Sequence, residues 1–521
     1  MSPDPDPSRM HGSVYNQTAV SSAVTVRTYE FTDGRGAVAR PITYTLGGWI
    51  TTDIEYDAMG RPYRTSNPYS GYGAATPINP DNLWTTSEHD GLNRVFRTTL
   101  ADGNVVETQY DGRVTTVFDP AGKSRRSVVD GLGRVERLDE PDSSGNLGAV
   151  VSPVQPTFYT YSAIDNLVRI EQGGQQRFFK YDSLGRMTHE RHVEMDAPHT
   201  QADPLTPNTQ WSRRIVYNTH DLVTDAYDAR GVHTHFEYDG LNRATQITYS
   251  DATLAATYTY DETRAGYFNR GRLTTAATAS TADAPATSQA YDYDLMGRIA
   301  NHRQTISSTT YTMAYGYNLI GQLTTETYQS GRMVTNTYME GARLMNVADE
   351  TRNYVMAMTY KPHGGLQSEM WANGAEHTVS YNARLQASER RLTVGATEVQ
   401  RYTYSYGATD MATGAVDAQK NTGQIGRIES FVGGQKQWDQ RHKYDELGRL
   451  DLAAEHLGTG ALNYRSDFDY DRYGNRYRPL QGTQNPNLYY TPVETSDISP
   501  TTNRFTTPAH TPVAIGATHT N

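Results

Sequence analysis

Residues 181–186 read Tyr-Asp-Ser-Leu-Gly-Arg, and this hexapeptide decides the fold. The pattern Tyr-Asp-x-x-Gly-Arg returns at residues 56–61, 293–298 and 444–449. Near-copies begin at His89, Val129, Tyr227, Tyr238 and Tyr470. Degenerate copies begin at Tyr317, Tyr338, Tyr360 and Tyr381, whose tyrosines lie 21, 22 and 21 residues apart. Recurrence at one spacing is the signature of a repeat array.

The segments that flank each motif alternate between polar and apolar residues, as in residues 233–238 and 401–406. Period-2 runs bounded by Gly, Asn and Asp predict strands joined by tight hairpins. The chain is therefore predicted to be all-β, with hairpins of about 21 residues coiled into a curved sheet and almost no helix. The alternative is a β-propeller, because two units would supply the four strands of one blade.

Each motif residue has a predicted structural role. The tyrosine ends the incoming strand and lays its ring over the turn, and the Asp carboxylate accepts backbone N–H groups two residues on. Gly or Asn supplies the positive φ. Arg opens the outgoing strand within reach of the tyrosine ring, its own Asp or a neighbouring Asp, and the apolar residue before the glycine is expected to plug the turn. The predicted structural residues are Tyr56, Asp57, Gly60, Arg61, Tyr181, Asp182, Gly185, Arg186, Tyr238, Asp239, Arg243, Tyr293, Asp294, Gly297, Arg298, Tyr444, Asp445, Gly448, Arg449, Tyr470, Asp471 and Gly474.

The composition favours a thin, half-wet sheet over a thick apolar core. The chain has 38 Tyr against 11 Phe and 5 Trp, and tyrosine joins a large ring to a hydroxyl that needs a partner. Six of the 47 basic residues are lysine, so arginine dominates and is expected to have structural partners. The net charge of −11, without a basic stripe, argues against a nucleic-acid partner.

Other classes of protein are excluded by what the sequence lacks. Without cysteine there are no disulfides, thiolate metal sites or cysteine nucleophiles. No apolar run is long enough for a membrane span, and the first residues show no signal peptide.

The repeat pattern divides the chain into three predicted regions. Residues 1–22 are an N-terminal tail, 23–484 form the repeat array as a single β body, and 485–521 are a Thr/Pro-rich C-terminal tail or a truncated further repeat. Loop insertions rich in Pro, Gly and Ser are expected at 67–83, 139–157, 195–210, 274–288 and 407–422.

Three patterns resemble chemical sites. Gly122-Lys123-Ser124 lacks the upstream glycine of a phosphate-binding loop and is interpreted as a turn. Asp467, Asp469 and Asp471 lack the glycine and glutamate spacing of a calcium loop and are interpreted as a strand that enters a turn.

His233 and His235 face the same way on a strand, with His220 upstream. They would ligate zinc only if a third ligand came from a neighbouring strand. We predict no catalytic residue, metal or cofactor.

The Tyr-Asp-x-x-Gly-Arg units resemble the YD repeats of bacterial Rhs proteins, Tc toxin B and C subunits and teneurins, over about residues 25–480. The resemblance implies a hollow β-shell, which in Rhs and Tc proteins encloses a toxic C-terminal segment. The Asp-Pro-x-Gly closing segment of the Rhs core is missing from the last residues, so self-cleavage is not carried over. The chain is expected to be part of a longer array or a small stand-alone one.

The predicted function is that of a non-catalytic scaffold, a YD-repeat shell or part of one, which encloses or presents a polypeptide cargo. The alternative is a cell-surface adhesin or a module that binds carbohydrate or protein. The expected partners are an enclosed cargo, other segments of a longer shell, or surface carbohydrate or protein. The expected location is extracellular or at the cell surface, by an export route that the chain does not reveal.

Overall fold

A computed structural model describes residues 11–19, 25–45, 48–71, 83–281, 284–339, 343–477 and 495–506. The chain forms two compact units. Unit 1 comprises Met1–Thr108, Leu254–Gly407 and Ala418–Asp439. Unit 2 comprises Gln109–Thr253, Ala408–Asp417 and Gln440–Asn521.

The secondary structure is almost entirely β-strand. The first half of the chain contains β1 (His11–Ala19), β2 (Thr25–Thr32), β3 (Val38–Thr45), β4 (Gly48–Thr51), β5 (Ile54–Tyr56), β6 (Pro62–Ser66), β7 (Tyr69–Ser70), β8 (Trp84–His89), β9 (Val95–Thr99), β10 (Val105–Asp111), β11 (Val114–Phe118), β12 (Ser124–Val129), β13 (Val135–Glu140), β14 (Gly148–Ala149), β15 (Ser152–Pro153), β16 (Gln155–Tyr161), β17 (Leu167–Gln172), β18 (Gln175–Tyr181), β19 (Met187–Arg191), β20 (His199–Thr200), β21 (Gln210–Trp211), β22 (Arg213–Tyr217), β23 (Val223–Tyr227), β24 (His233–Tyr238) and β25 (Ala244–Tyr249). The second half contains β26 (Ala256–Tyr260), β27 (Leu273–Thr278), β28 (Thr287–Tyr293), β29 (Ile299–Ile306), β30 (Thr309–Tyr317), β31 (Leu323–Thr327), β32 (Met333–Tyr338), β33 (Leu344–Asp349), β34 (Asn353–Tyr360), β35 (Leu366–Trp371), β36 (Ala375–Tyr381), β37 (Ala387–Val394), β38 (Thr397–Tyr406), β39 (Ala408–Thr409), β40 (Val416–Asp417), β41 (Ile425–Val432), β42 (Gln435–Tyr444), β43 (Leu450–Leu457), β44 (Leu462–Asp467), β45 (Asp469–Tyr470) and β46 (Arg476–Tyr477).

Helix is confined to two single turns in the described part of the chain, the 3-10 segments Ala418–Lys420 and Thr495–Asp497. Neither of these turns has the length or apolar character of a membrane-crossing helix.

Unit 1 is built around a long antiparallel ladder. From β26 to β38 each strand pairs with the next, and β38 then pairs with β41, which makes an uninterrupted run of 14 paired strands. A propeller would divide these strands into separate four-stranded blades. The prediction of repeated hairpins is confirmed, and the propeller alternative is wrong.

Unit 1 also contains two shorter strand sets. Strands β1, β2, β3, β4 and β7 form a five-stranded sheet. Strands β5, β6, β8, β9 and β10 pair in that order. Residues 11–19, which the sequence analysis assigned to a tail, thus form β1 and pair with β2.

Unit 2 has its own ladder, and the predicted insertions interrupt the chain between its strands. The order is β11 to β13, β16 to β19 and β22 to β25, so β13 pairs with β16 and β19 with β22. The skipped strands form two small hairpins: β14–β15 lies within the predicted insertion 139–157, and β20–β21 begins in the insertion 195–210 and ends one residue beyond it, at Trp211. Hairpin β39–β40 lies within the predicted insertion 407–422.

The other two predicted insertions are placed differently. The insertion at 274–288 is shorter in the structure, because β27 ends only at Thr278 and β28 begins at Thr287. The insertion at 67–83 contains β7, and its residues 72–82 lie outside the described residues.

Several ladder strands have no strongly buried face. Every residue of β23, β25, β31 and β33 is half-buried, whereas a sheet packed on an apolar core alternates between buried and exposed. Tyr and Thr suit this half-buried setting, which explains their abundance. The fully buried side chains include the paired charges Arg40 and Asp53 in unit 1, joined at 2.6 Å.

Residues 495–506, part of the predicted C-terminal tail, pack on unit 2. The buried Gln175 amide donates to the Pro500 carbonyl at 3.0 Å and to Asn503 Oδ1 at 2.9 Å. The guanidinium of Arg504 donates to the Glu194 carbonyl at 2.8 Å and pairs with Asp196 at 2.7 Å. This segment is therefore an ordered part of unit 2. The remainder of the predicted tail, 485–494 and 507–521, lies outside the described residues.

Candidate functional site: the YD turn and the polar cluster on strands 23 and 24

The Asp of the motif organises its turn through both carboxylate oxygens. In the turn after β18, Asp182 Oδ1 accepts the backbone N–H groups of Leu184 at 2.9 Å and Arg186 at 3.0 Å. Asp182 Oδ2 accepts the Arg186 Nε–H at 2.7 Å. Gly185 has φ +77° and donates its N–H to the Asp182 carbonyl, which makes a type I turn that ends in a glycine bulge.

The same contacts recur throughout the array. An Asp accepts from the Arg four residues later at 2.7–2.8 Å in the pairs Asp57–Arg61, Asp90–Arg94, Asp130–Arg134, Asp239–Arg243, Asp294–Arg298 and Asp445–Arg449. In two near-copies Asn93 and Asn242 replace the glycine, with φ of 65° and 64°. Asn tolerates this left-handed conformation better than other residues that carry a β-carbon.

These hydrogen bonds keep the turn carboxylates ionised. Hydrogen bonds from Arg61 hold the pKa of Asp57 below its ordinary value, and those from Arg243 do the same for the pKa of Asp239. At Asp182 burial raises the pKa, but the hydrogen bonds from Arg186 outweigh it and the net pKa is lowered. The turns are therefore built for an anionic Asp.

The tyrosine of the motif reaches back to the preceding turn. The Tyr317 hydroxyl donates to the Ile299 carbonyl at 2.9 Å, and Ile299 directly follows Arg298 of the preceding motif. Eleven tyrosines make this contact, at 2.7–3.0 Å: Tyr56, Tyr161, Tyr217, Tyr238, Tyr293, Tyr317, Tyr338, Tyr360, Tyr381, Tyr406 and Tyr470. Each hydroxyl thus ties one hairpin to the one before it.

The arginine reaches forward to the next turn. The Arg298 guanidinium lies over the Tyr317 ring, 4.8 Å from its centroid, and Nη1 donates to the Asn318 carbonyl at 2.6 Å. The same stacking, at 4.2–5.4 Å, joins Arg134–Tyr161, Arg186–Tyr217, Arg272–Tyr293, Arg343–Tyr360 and Arg449–Tyr470. Of the partners weighed from the sequence, the arginine thus uses its own Asp and a tyrosine ring, and that ring belongs to the next repeat.

The neighbouring carboxylate is used as well in part of the array. Arg134 pairs with Asp165 and Arg186 pairs with Asp221, at 2.5 and 2.6 Å. In the last turn Asn475 takes the position of the arginine, and its amide donates to Asp471 at 2.8 Å, with Gly474 at φ +87°. A neighbouring Asp was among the arginine partners that the sequence left open, whereas the hydroxyl contact to the preceding turn was not predicted, because its acceptor is a backbone carbonyl of another repeat.

Of the six apolar residues expected to plug the turns, Leu447 is half-buried, but Met59, Leu92, Leu132, Leu184 and Leu295 do not plug their turns, so the expectation was wrong for these five. The exposed fractions are 69–74 % at Met59, Leu92, Leu132, Leu184, Leu241 and Leu295, and at the neighbouring Met296 and Leu319. These apolar side chains therefore point to solvent.

Two of the three chemical patterns form ordinary structure. Residues 119–123 are an Asp turn with Gly122 at φ +80°, and the Lys123 ammonium contacts the carbonyl of Tyr444 at 3.1 Å. Asp467 accepts the guanidinium of Arg465, whereas Asp471 sits in the last turn. These carboxylates are committed to different partners, as the turn interpretations predict.

For the third pattern, His233 and His235, a neighbouring strand does supply a third potential ligand. Asp225 of β23 lies opposite His235 of β24 in the ladder. Its Oδ1 contacts His233 Nε2 at 2.7 Å and His235 Nδ1 at 2.8 Å. Burial raises the Asp225 pKa, but hydrogen bonds from His235 and His233 outweigh it and lower the pKa to about 2.

The cluster of Asp225, His233 and His235 stands apart from the other histidine of the pattern. His220 lies in the exposed turn before β23, where its backbone N–H donates to Asn218. Across the described residues this cluster is the one group of three or more His, Cys, Asp or Glu side chains with ligand atoms converging within 4.8 Å.

The comparisons with known proteins agree with this geometry. A family model for the RHS repeat matches residues 217–254, which contain the turns at Asn218 and Asp239. No curated protein sequence matches the chain significantly.

The fold is similar to that of Tc toxin chains of known structure. One is the Photorhabdus luminescens Tc holotoxin pore, with a TM-score of 0.69 and 15 % identity over 90 % of this chain and 26 % of that chain. A crystal structure of TcdB2–TccC3 with Cdc42 gives 0.69 and 14 % over 89 % and 26 %. A crystal structure of TcdB2–TccC3 gives 0.63 and 12 % over 89 % and 29 %. The chain thus spans about a quarter of the length of the first two.

Asp-centred turns, tyrosine hydroxyls that reach back and arginines that reach forward define an all-β repeat protein whose hairpins are joined through their turns. The chain thus matches the RHS repeat over residues 217–254, and its fold is similar to that of the Tc toxin chains.

Proposed function

We propose that this chain is a non-catalytic scaffold, a segment of a YD-repeat wall that encloses or presents a polypeptide cargo. The observation that carries the proposal is the two-way linkage between consecutive turns. Eleven tyrosine hydroxyls bind the preceding repeat and the stacked arginines bind the next one, so the side chains of the motif link consecutive hairpins of the sheet. A wall requires this kind of stiffness between neighbours.

The half-buried faces support the same role. Strands such as β25 and β33 are half-buried along their whole length, so the ladder is held by turn contacts more than by an apolar core. The fold shared with the Tc toxin chains is consistent with a wall. In TcdB2–TccC3 and the holotoxin the matching region is part of a longer chain, and we propose the same here.

A structural role also accounts for the acidic residues. The buried Asp139 is held by Arg126 at 2.6 Å and by Arg137 at 2.8 Å. The buried Asp292 is held by Arg264 at 2.8 Å and by Arg303 at 2.7 Å. Carboxylates that are paired in this way stabilise the fold and are poorly suited to general acid or base catalysis.

The adhesin alternative has less support. An aromatic sugar platform needs an open ring face, but motif tyrosines such as Tyr217 and Tyr317 carry an arginine guanidinium on the ring. We propose that the protein acts outside the cell or at its surface, where a cargo-bearing wall of a Tc-like protein would be used.

Electron microscopy and X-ray scattering of the purified chain test the proposal. A compact 521-residue globule would have a radius of gyration of about 24 Å. A wall around a cavity gives a larger radius and particle images with a low-density centre. A solid particle with a radius near the compact value would overturn the proposal.

A second experiment tests the cargo. A flexible polypeptide with protease sites is fused to the C-terminus, and its cleavage is compared with that of the same polypeptide fused to an unrelated globular protein. Enclosure predicts slower cleavage in the repeat protein, with the wall itself intact on the gel. Equal cleavage rates in both fusions would count against enclosure and leave presentation as the role of the wall.

A further inference from the structure

Two neighbouring strands bring three metal-binding side chains together on one face of the ladder in unit 2. His233 and His235 are two positions apart on β24, so they project from the same face. Asp225 comes from β23, where it is the register partner of His235. The three ligand atoms, Nε2 of His233, Nδ1 of His235 and Oδ1 of Asp225, lie within 4.8 Å of one another.

We propose that Asp225, His233 and His235 form a binding site for a zinc-class divalent ion. Two imidazole nitrogens and one carboxylate oxygen are ligands that Zn²⁺ prefers, and a three-ligand set leaves the fourth tetrahedral position for water or an outside ligand. The side-chain exposures are 23 % for Asp225, 34 % for His233 and 42 % for His235, so an ion can enter from solvent.

The site is preorganised by its neighbours. Tyr227 stacks on the His233 ring at 4.5 Å with an interplanar angle of 11°. The guanidinium of Arg214, on β22, lies over the Tyr227 ring, 5.1 Å from the ring centroid. The stack restrains the His233 ring, and the contact with Asp225 keeps Nε2 directed at the shared centre. Ligands on paired strands with restrained rings lose little freedom when an ion binds.

The contacts already present direct both imidazoles at a common centre. His233 Nε2 and His235 Nδ1 lie 2.7 and 2.8 Å from the same carboxylate oxygen, Asp225 Oδ1. An ion at the centre would contact each nitrogen through its lone pair, with the proton held on the other ring nitrogen. On the same face, the register places Val216 and Thr248 on either side of the Asp225–His235 pair, and neither adds a competing positive charge.

The test uses the full chain, without an affinity tag that contains histidine, after dialysis against a chelator. Titration with Zn²⁺ by calorimetry should give one ion per chain. Co²⁺ in place of Zn²⁺ should produce the visible absorption of a four-coordinate site. His235→Ala and Asp225→Asn should each weaken binding by about 100-fold or more, since even changes behind a ligand cost about 10–100-fold.

His220→Ala is the matched control, because this histidine is close in sequence but lies in the turn. It should leave affinity and stoichiometry unchanged. Melting curves of all variants in chelator show whether each one folds, so loss of binding is separable from loss of structure. The site is refuted if the wild-type chain binds less than one ion, or if His220→Ala weakens binding as much as His235→Ala does. A folded His235→Ala/Asp225→Asn double variant that binds normally would also refute it.

Discussion

The arginine that links consecutive turns offers a direct test of how the array is held together. Replacing Arg298 with Ala removes three contacts in unit 1: the pair with Asp294 at 2.7 Å, the stack on Tyr317 at 4.8 Å and the Nη1 bond to the Asn318 carbonyl at 2.6 Å. The Arg298 side chain is 25 % exposed, so solvent screens the ion pair only in part.

The magnitude follows from these three contacts. A partly exposed ion pair contributes about 0.5–1 kcal/mol, and a stacked cation about 0.5–1 kcal/mol. A hydrogen bond from the charged guanidinium adds about 1 kcal/mol. We expect Arg298→Ala to destabilise the turns at residues 294–298 and 317–322 by about 2 kcal/mol, which raises local opening about 30-fold.

Hydrogen exchange measures this opening locally, which suits a repeat array whose segments open separately. The amides of Asp294 and Asn318, which donate to the carbonyls of Arg298 and Gln322, should exchange faster in the variant. Amides of the Asp239 turn in unit 2 should be unchanged. In Arg298→Lys these amides should exchange at rates between those of the wild-type chain and of Arg298→Ala, because lysine keeps the charge and loses the planar guanidinium.

Arg230→Ala is the matched control, since Arg230 pairs with Asp228 inside its own turn and is 72 % exposed. Its effect should stay below about 0.5 kcal/mol. A double-mutant cycle with Tyr317→Leu isolates the stack, with an expected coupling of about 0.5–1 kcal/mol. Equal effects of Arg298→Ala and Arg230→Ala, or zero coupling with Tyr317, would show that the forward contact does not hold the repeats together.

Three further perturbations test the turn chemistry. The folded-state pKa values of Asp57, Asp182 and Asp239 are lowered from 3.8, so these carboxylates stabilise the fold above about pH 4 and lose that effect as pH falls through the folded-state values. The midpoint of urea unfolding should therefore be lower at pH 3 than at pH 5, and an unchanged midpoint would contradict the anionic turn. Gly321 has φ +88° with open space around it, so Gly321→Ala should cost about 1 kcal/mol through backbone strain alone, and Gly321→Asn less; equal melting temperatures for the two variants would contradict this account. Leu184→Ser should change the free energy of unfolding by less than about 0.5 kcal/mol, because Leu184 is 71 % exposed. Ile215→Ala, at a residue that is 8 % exposed, should cost about 2–3 kcal/mol. A large effect of Leu184→Ser would show that this side chain does plug its turn.

Local chemistry explains why so much of the turn could be predicted from sequence. The contacts of Asp182 with Leu184 and Arg186 span two and four residues, so the hexapeptide contains both partners. The positive φ at Gly185 is likewise a property of the turn itself. The period of the motif and the alternation around it were enough to predict an all-β chain of hairpins.

The partners of the outward-reaching side chains depended on the tertiary structure. Tyr317 donates to a carbonyl 18 residues away, and Arg186 pairs with Asp221 at a separation of 35 residues. Spacing in sequence does not decide which strand edge or ring lies nearby, because register and sheet order do. The exposure of Leu184 was likewise not predicted from the sequence, because it depends on the packing around the turn.

The polar cluster shows the division most clearly. Alternation along β24 placed His233 and His235 on one face, but a third ligand could not be named from sequence. The register of β23 on β24 places Asp225 opposite His235. The packing of residues 495–506 on unit 2 likewise depends on contacts between residues far apart in sequence, such as Gln175 and Asn503. By itself the sequence determined the repeat and its turns, because those contacts lie within a few residues; the folded sheet decided which repeats meet, because hydrogen-bond register joins residues that the chain keeps apart.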